Sequence, residues 1–567
     1  MPYRAPLSEF RFLYAHVVGL DQVSGTALFG DAAPDVVEAV LAEAGRLCEE
    51  TLAPLDRVGD KHPARLENGV VRTPPGFADG FRAIADGGWV GISAEPAYGG
   101  MGLPIAVASA VNEMMTSSCF ALQLNPMLTQ GQIEALEHHA SPAIKALYLP
   151  KLISGEWNGT MNLTEPHAGT DVGALRSKAE PLPDGTYAVT GQKIYITWGD
   201  SDFMANTCHL VLARLPGSAA GVGGISLFMV PKYLPDATGQ PGVRNSLTVV
   251  SLEHKLGLHG SPTAVMQYDR AVGWLVGHEN KGMAAMFTMM NNARLGVGVQ
   301  GVGVAEAAYQ KALSYALDRR QGKTPLSAKG PISEHADVRR MLAVMKADIF
   351  SARAIALSCA VAIDMARATG SADWLARAAL LTPIAKAFGT DVGNDVAQMG
   401  IQVHGGMGFI EETGAAQYAR DVRVTSIYEG TNGIQAMDLV GRKMMDGGEA
   451  GLRLIEDMQK GAVLARAALP ELAGAVWDAA EALREATEGL VGLEMNDRFA
   501  GAVPYLRAFA RVLGGHFHLT AAMAEKARLP LARVAIGRLL PEYAALLAQV
   551  RVGASDLYAL SDADLGT

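Results

Sequence analysis

The sequence predicts an α+β protein: a helical region, a β region, a second helical region and a helical extension. Three observations predict it. The 567 residues exceed what one hydrophobic core can organise, and 49% hydrophobic with 19% charged residues is a folded composition. The residue texture changes twice, near Trp157 and near Asn280. The segments after the second change are long, apolar and Ala/Leu/Met-rich, as in a helical bundle. These changes place the regions at residues 1–157, 158–278, 279–445 and 446–567.

Each region has its own signal. In the first, Val36, Val37, Val40, Leu41 and Ala44 lie at helical spacing, and YGGMGLP from Tyr98 to Pro104 breaks one helix from the next. In the second, short β-like runs such as TYAVTGQKIYIT, ANTCHLVLARL and GISLFMVPKYL are separated by Gly, Pro and Asp. That punctuation predicts antiparallel strands or a small barrel. The third carries GMAAMFTMMNNARLGVG, ADVRRMLAVMKADIFSARAIALSCAVAIDMARA and LARAALLTPIAKAFGTDVGNDVAQMGIQV. After Met445 the Ala/Leu pattern continues, without a repeat period.

Charge and cysteine usage exclude several functions. A net charge of −10 argues against nucleic acid or an anionic membrane surface as the main partner. The four cysteines, Cys48, Cys119, Cys208 and Cys359, are scattered without a CxxC, so neither a zinc site nor a disulfide framework is expected. No run of about 18 apolar residues predicts a transmembrane segment. MPYRAPLSEFRFLYAH lacks a signal-peptide core, and the terminal Asp-Leu-Gly-Thr is not a peroxisomal address. A cytoplasmic protein with reduced thiols is the expectation.

Three motifs offer other chemistry and are set aside. GVGVQG, Gly296 to Gly301, matches a dinucleotide fingerprint, but a helical pattern precedes it where a strand is required. Close helix packing through small residues is the better reading. HGGMG, His404 to Gly408, lacks the G-x-S-x-G elbow that an oxyanion loop of that kind accompanies. His254 and His259 have no third ligand nearby, so no metal is expected.

SIYEGTNGIQ, Ser426 to Gln435, is the most informative segment. Glu429 sits in a break between helical patterns, beside Tyr428 and before Gly430, with Thr431 following. Partial desolvation there would raise its pKa and suit it to removing a proton from a weakly acidic C–H. Three segments join it. MNLTEPHAGTDVGAL supplies Leu163, Thr164 and Thr170; GQKIYITWG supplies Tyr195, Ile196 and Thr197. YALDRRQGK and QVHGGMGF supply Arg319, Gln402, Gly405 and Gly406, a combination of guanidinium and glycine-flanked amides suited to a pyrophosphate.

In this order and spacing the segments resemble the acyl-CoA dehydrogenase family over about residues 35–445, most strongly in LTEPHAGTD, GQKIYIT, HENKGM, QVHGGMGF and RDVRVTSIYEGT. The resemblance implies an N-terminal helical domain, a middle antiparallel β domain and a C-terminal four-helix bundle. It also implies bound FAD, lined by Leu163, Thr164 and Thr170, with Tyr195, Ile196 and Thr197 against the ring and Thr431 and Gly433 nearby. Arg319, Gln402, Gly405 and Gly406 would reach the FAD of a neighbouring subunit, so a homo-oligomer is implied. Glu429 matches the family's base, which takes the α-proton of an acyl-CoA thioester while the β-hydride passes to the flavin. The backbone N–H of Glu429 and a cofactor hydroxyl would polarise the carbonyl. Thr170, Arg294 and Gly430 would contact the substrate, and electron-transfer flavoprotein would take the electrons.

Members that carry the base on another helix place it just before the Arg294 position, where this chain has Ala293. Three departures from the family pattern stand out: Thr170 for Ser, Tyr195 for Trp, and Arg319-Arg320-Gln321-Gly322 without the usual aromatic. The terminal additions resemble a long bacterial subgroup, and extra helical regions of this kind can support a dimer in place of a tetramer. That leaves 3-methylthiopropionyl-CoA and fatty acyl-CoAs both open as substrates, in a β-oxidation setting. An acyl-CoA oxidase and a non-catalytic scaffold of the same fold are the alternatives.

Overall fold

The computed structural model describes residues 3–566. By packing, the chain divides into two units. One comprises residues 46–103 and 118–293, the other residues 3–45, 104–117 and 294–566.

The first of these holds the β region. Among the described residues, seven strands form its main sheet. Thr263–Val276 pairs antiparallel with Leu247–Leu252, Tyr187–Thr197 and Ile225–Pro231. Ile225–Pro231 pairs with Asn206–Arg214, and Lys178–Pro181 bridges Asn206–Arg214 back to Tyr187–Thr197. The pairing of five of these strands returns on itself as a small barrel, while Leu247–Leu252 and Trp157–Asn162 each pair on one side only. The sheet is not wholly antiparallel as expected. Trp157–Asn162 runs parallel to Asn206–Arg214, from Trp157 opposite Asn206 to Asn162 opposite Val211. Two strands intervene in sequence, so a crossover rather than a hairpin joins this pair, and a crossover permits the parallel arrangement. Asn206–Arg214 is buried up to its last residue, which is why its sequence shows no polar alternation. Val189, Val211, Phe228, Val230, Met266 and Tyr268 form the centre of the core.

The other unit is helical. Gly282–Asp318 enters it at Arg294, and Ala336–Thr369 and Ala372–His404 complete the three long helices of the bundle. The short helices Ala415–Val422 and Asn432–Val440 follow. The GVGVQG segment lies inside the helix Gly282–Asp318. A Cβ on Gly298 would stand 2.5 Å from the carbonyl oxygen of Ala385, and one on Gly301 2.2 Å from that of Gly389. The glycines therefore serve helix contact with Ala372–His404.

The extension is made chiefly of Glu449–Ala465, Pro470–Val491, Ala502–Ala524 and Glu542–Val550. His516 and His518 lie on Ala502–Ala524; His518 is buried and its Nε2 is 3.1 Å from the carbonyl oxygen of Ala347.

Two helices, Ile105–His139 and Ala336–Thr369, are long and apolar enough to cross a membrane by length and composition, which the sequence reading did not anticipate. In each, 89% of the apolar window is buried inside the protein.

Candidate active site

Glu429 occupies a turn that the local sequence builds. Thr431 caps the helix Asn432–Val440, its hydroxyl accepting the Ile434 amide at 3.3 Å. Just before the cap, the backbone passes through the left-handed region at Glu429 (φ 55°) and Gly430 (φ 85°). Glycine accepts this readily; a glutamate there is strained, a condition that concentrates at functional sites. Gln435 holds the turn, its Nε2 donating to the carbonyls of Glu429 at 3.1 Å and Gly430 at 3.3 Å. A Cβ on residue 430 would meet that nitrogen at 2.8 Å.

The Glu429 side chain is partly accessible yet closely surrounded by protein. Burial pushes its pKa up, the nearby cations Arg294 and Lys386 pull it back, and the balance lies at about 7. Arg294, only 6% exposed, comes from the helix Gly282–Asp318, and its Nη1 is 3.6 Å from Asp438 Oδ2. Asp438 Oδ1 accepts from Arg442 Nε at 2.7 Å. Lys386, from Ala372–His404, is 0% exposed and donates from Nζ to Asn432 Oδ1 at 2.9 Å. Asn432 in turn donates to Asp391 Oδ1 at 2.7 Å and Thr390 Oγ1 at 3.0 Å. The Tyr428 hydroxyl donates to the buried Gln300 Oε1.

The structure thus gathers Glu429, Gly430 and Thr431 on one turn and Gly433 at the start of the helix that follows, with Arg294 in electrostatic reach of Glu429. Sequence reasoning missed Lys386, Asn432, Asp438 and Gln300. A signal for Lys386 existed: it is the only charge in the run LLTPIAKAFGT, where a solvated face would show more. Arg319, Gln402, Gly405 and Gly406 form a second, exposed group at the ends of two helices. Tyr315 stacks on His404 there at 4.5 Å between ring centres. Gly405 has φ 60°, and a Cβ on it or on Gly406 would meet nothing within 4 Å.

The remaining predicted residues lie in the β-containing unit. Ile194 N donates to Thr164 O at 2.9 Å, which sets the Leu163–Thr164 backbone against the strand end that bears Tyr195, Ile196 and Thr197. Tyr195 has φ 61° and is 61% exposed, whereas Ile196 is buried. Thr170 is exposed on the loop that follows Leu163–Thr164. A buried ion pair, also missed from sequence, stiffens this corner. Lys193 Nζ is 2.8 Å from Glu165 Oε1 and donates to Leu163 O at 3.0 Å. The Arg176 and Ser177 amides also donate to Glu165. Burial raises the Glu165 pKa, but Lys193 and these donors bring it below its usual value. Burial brings Lys193 down to about 8 against the pull of Glu165. Among the described residues, no cluster of His, Cys, Asp and Glu is arranged to hold a metal ion.

Residues 35–156, 160–271 and 280–445 match the N-terminal, middle and C-terminal domains of acyl-CoA dehydrogenase. Residues 454–561 match the acetyl-CoA dehydrogenase C-terminal-like domain. The chain is 44% identical over 547 residues to 3-methylmercaptopropionyl-CoA dehydrogenase of Ruegeria pomeroyi, covering 93% of this chain and 92% of that one. Two solved structures share its fold. Caenorhabditis elegans ACDH-11, in complex with C11-CoA, has a TM-score of 0.80 at 20% identity and covers 95% of this chain and 92% of its own. The acyl-CoA dehydrogenase of Bacillus anthracis complexed with FAD has a TM-score of 0.76 at 21% identity, covering 99% and 93%.

Proposed function

Because the chain belongs to the acyl-CoA dehydrogenase family, we propose that Glu429 is the base in its flavin-dependent oxidation of an acyl-CoA thioester. The protein is an oxidoreductase that uses FAD and forms the trans-2-enoyl-CoA. The observation that carries the assignment of the base is a closely packed carboxylate, with a pKa near neutrality, held in a strained turn and flanked by two buried cations. Such a group is ionised often enough to accept a proton and basic enough to hold it. Glu429 takes the α-proton, the C–H electron pair forms the new double bond, and the β-hydrogen leaves with its own pair. Bound FAD supplies the acceptor for that hydride. The backbone N–H of Glu429 polarises the thioester carbonyl, which makes the α-proton acidic. Arg294, Gly430 and Thr170 line the substrate.

The residues present fit FAD. Tyr195 offers an exposed ring beside the Leu163–Thr164 backbone, and the open backbone at Gly405 and Gly406 admits close approach of an anionic group. Ile196, Thr197 and Thr170 are further proposed contacts to the cofactor from the β-containing unit, and Thr431 and Gly433 from the segment that carries the base. Arg319, Gln402, Gly405 and Gly406 are exposed and reach the cofactor of a second copy, so we expect a homodimer. Phe409, 86% exposed beside them, accords with an interface. Electron-transfer flavoprotein is the proposed acceptor. Four buried thiols in free form accord with the cytoplasm.

The acyl group put first is 3-methylthiopropionyl, because the relative named for it matches over nearly the full length of both chains. A panel of acyl-CoAs tests this, and turnover only of long fatty acyl-CoAs would remove it. Anaerobic turnover with an artificial acceptor, and none with oxygen alone, separates the dehydrogenase from an oxidase. For the base, Glu429→Gln is expected to keep FAD and acyl-CoA binding but slow flavin reduction by on the order of 100-fold or more. Flavin reduction at the normal rate in that variant would sink the assignment.

A further inference from the structure

We propose that Lys386 is a positioning residue for the base: buried behind the turn, it pins Asn432 and supplies the cation that keeps the Glu429 carboxylate ionised. The proposal rests on Glu429 being the base.

The geometry gives the reason. A fully buried lysine is costly, and an apolar side chain would fill the same place on Ala372–His404 without that cost. Nor is Lys386 needed merely to fix Asn432, which already donates to Asp391 and Thr390 and, at 3.3 Å, to the carbonyl of Ala387. What the ammonium adds is charge. The groups facing the site from each element can be named. Arg294 comes from Gly282–Asp318, Lys386 and Asp391 from Ala372–His404, Asp438 from Asn432–Val440, Arg442 from the turn after it, and Tyr428 from the base segment itself.

The positive charge of Arg294 is divided between Asp438 and Glu429, and Arg442 shares Asp438. Burial lowers Lys386 to about 8, and its main carboxylate neighbours, Glu429 first and Asp391 second, hold it up. Burial keeps Asp391 above its ordinary range, and of the two carboxylates Glu429 is the stronger influence on Lys386. The two cations also act oppositely to burial on Glu429, so removing one moves the base toward its neutral, inactive form. Asn432, three residues beyond Glu429 and at the start of the capped helix, carries the mechanical half of the coupling.

The test uses FAD-loaded enzyme and the rate of flavin reduction by the best acyl-CoA substrate across pH, for wild type, Lys386→Met, Lys386→Arg and Asn432→Ala. Lys386→Met is expected to move the acid limb up by about one pH unit or more. Lys386→Arg keeps the limb in place. Asn432→Ala lowers the plateau with a much smaller shift. The protonated carboxyl stretch that disappears in Glu429→Gln, followed by difference infrared spectroscopy, is expected to titrate higher in Lys386→Met as well. A limb and a carboxyl titration that both stay put in Lys386→Met, whatever the rate, overturn the proposal. If Lys386→Met does not fold, Lys386→Gln, which keeps a donor to Asn432 and removes the charge, carries the same comparison. Normal flavin reduction in Glu429→Gln would instead mean that the base assignment itself had failed.

Discussion

At the scale of the residue, Glu429 is defined by competing influences on one carboxylate. Burial raises its pKa, and Arg294 and Lys386 restrain the rise to about 7. The reaction needs the ionised form, so kcat/KM is expected to fall as pH drops through about 7, reporting the free enzyme. The sign is fixed: an acid limb is predicted, and a rate that rises toward pH 5 would contradict the role. Of this, the sequence disclosed the acid and its turn. Gly430 and the Thr431 cap are local signals, written in adjacent positions. Lys386 showed in sequence only as a lone charge in an apolar run; its partner, Glu429, was not legible, because the two are remote in sequence. The ion pair Glu165–Lys193 escaped for the same reason, although both residues stand inside motifs that were recognised.

At the scale of the element, the helices Gly282–Asp318 and Ala372–His404 meet through Gly298, Gly301, Ala385 and Gly389. One helix carries Arg294 and the other Lys386, so their spacing sets the charges around the base. Gly301→Ala would bring a methyl group onto the carbonyl of Gly389, and a backbone cannot yield as a flexible side chain does. The expected loss is about 1–3 kcal/mol of stability in urea unfolding. A shift of the acid limb is also expected, because the helices must separate. Unchanged stability would mean that the contact relaxes without cost. The glycine pattern was readable as small-residue packing; its partner helix was not. The same holds for the β region, where strand texture was plain in sequence. The parallel pairing of Trp157–Asn162 with Asn206–Arg214 depends on a long-range choice of neighbour that alternation does not encode.

At the scale of the whole molecule, the extension acquires a mechanical role. Its helix Ala502–Ala524 packs on Asn432–Val440, the helix that the base turn initiates, and Arg498 Nη1 lies 3.5 Å from the Val440 carbonyl. Buried Arg511 ties the same helix to the bundle by pairing with Asp348, and to Glu542 of the extension at 2.6 Å. Arg511→Met would strand the Asp348 carboxylate without its cation. A loss of about 3–5 kcal/mol is expected, visible as a lower Tm with FAD still bound below the transition. A Tm equal to wild type would show that the pair is dispensable.

By itself the sequence determined the order of helical and β regions, the motifs of the family, and the turn that presents Glu429. Each is written in neighbouring residues through periodicity, capping and glycine geometry. The tertiary structure alone decided which strands pair, which helix receives the glycines of Gly282–Asp318, and that Arg294 and Lys386 flank one carboxylate. Those outcomes depend on distances between residues far apart in the chain, and both packing and Coulomb energies follow distance in space rather than in sequence.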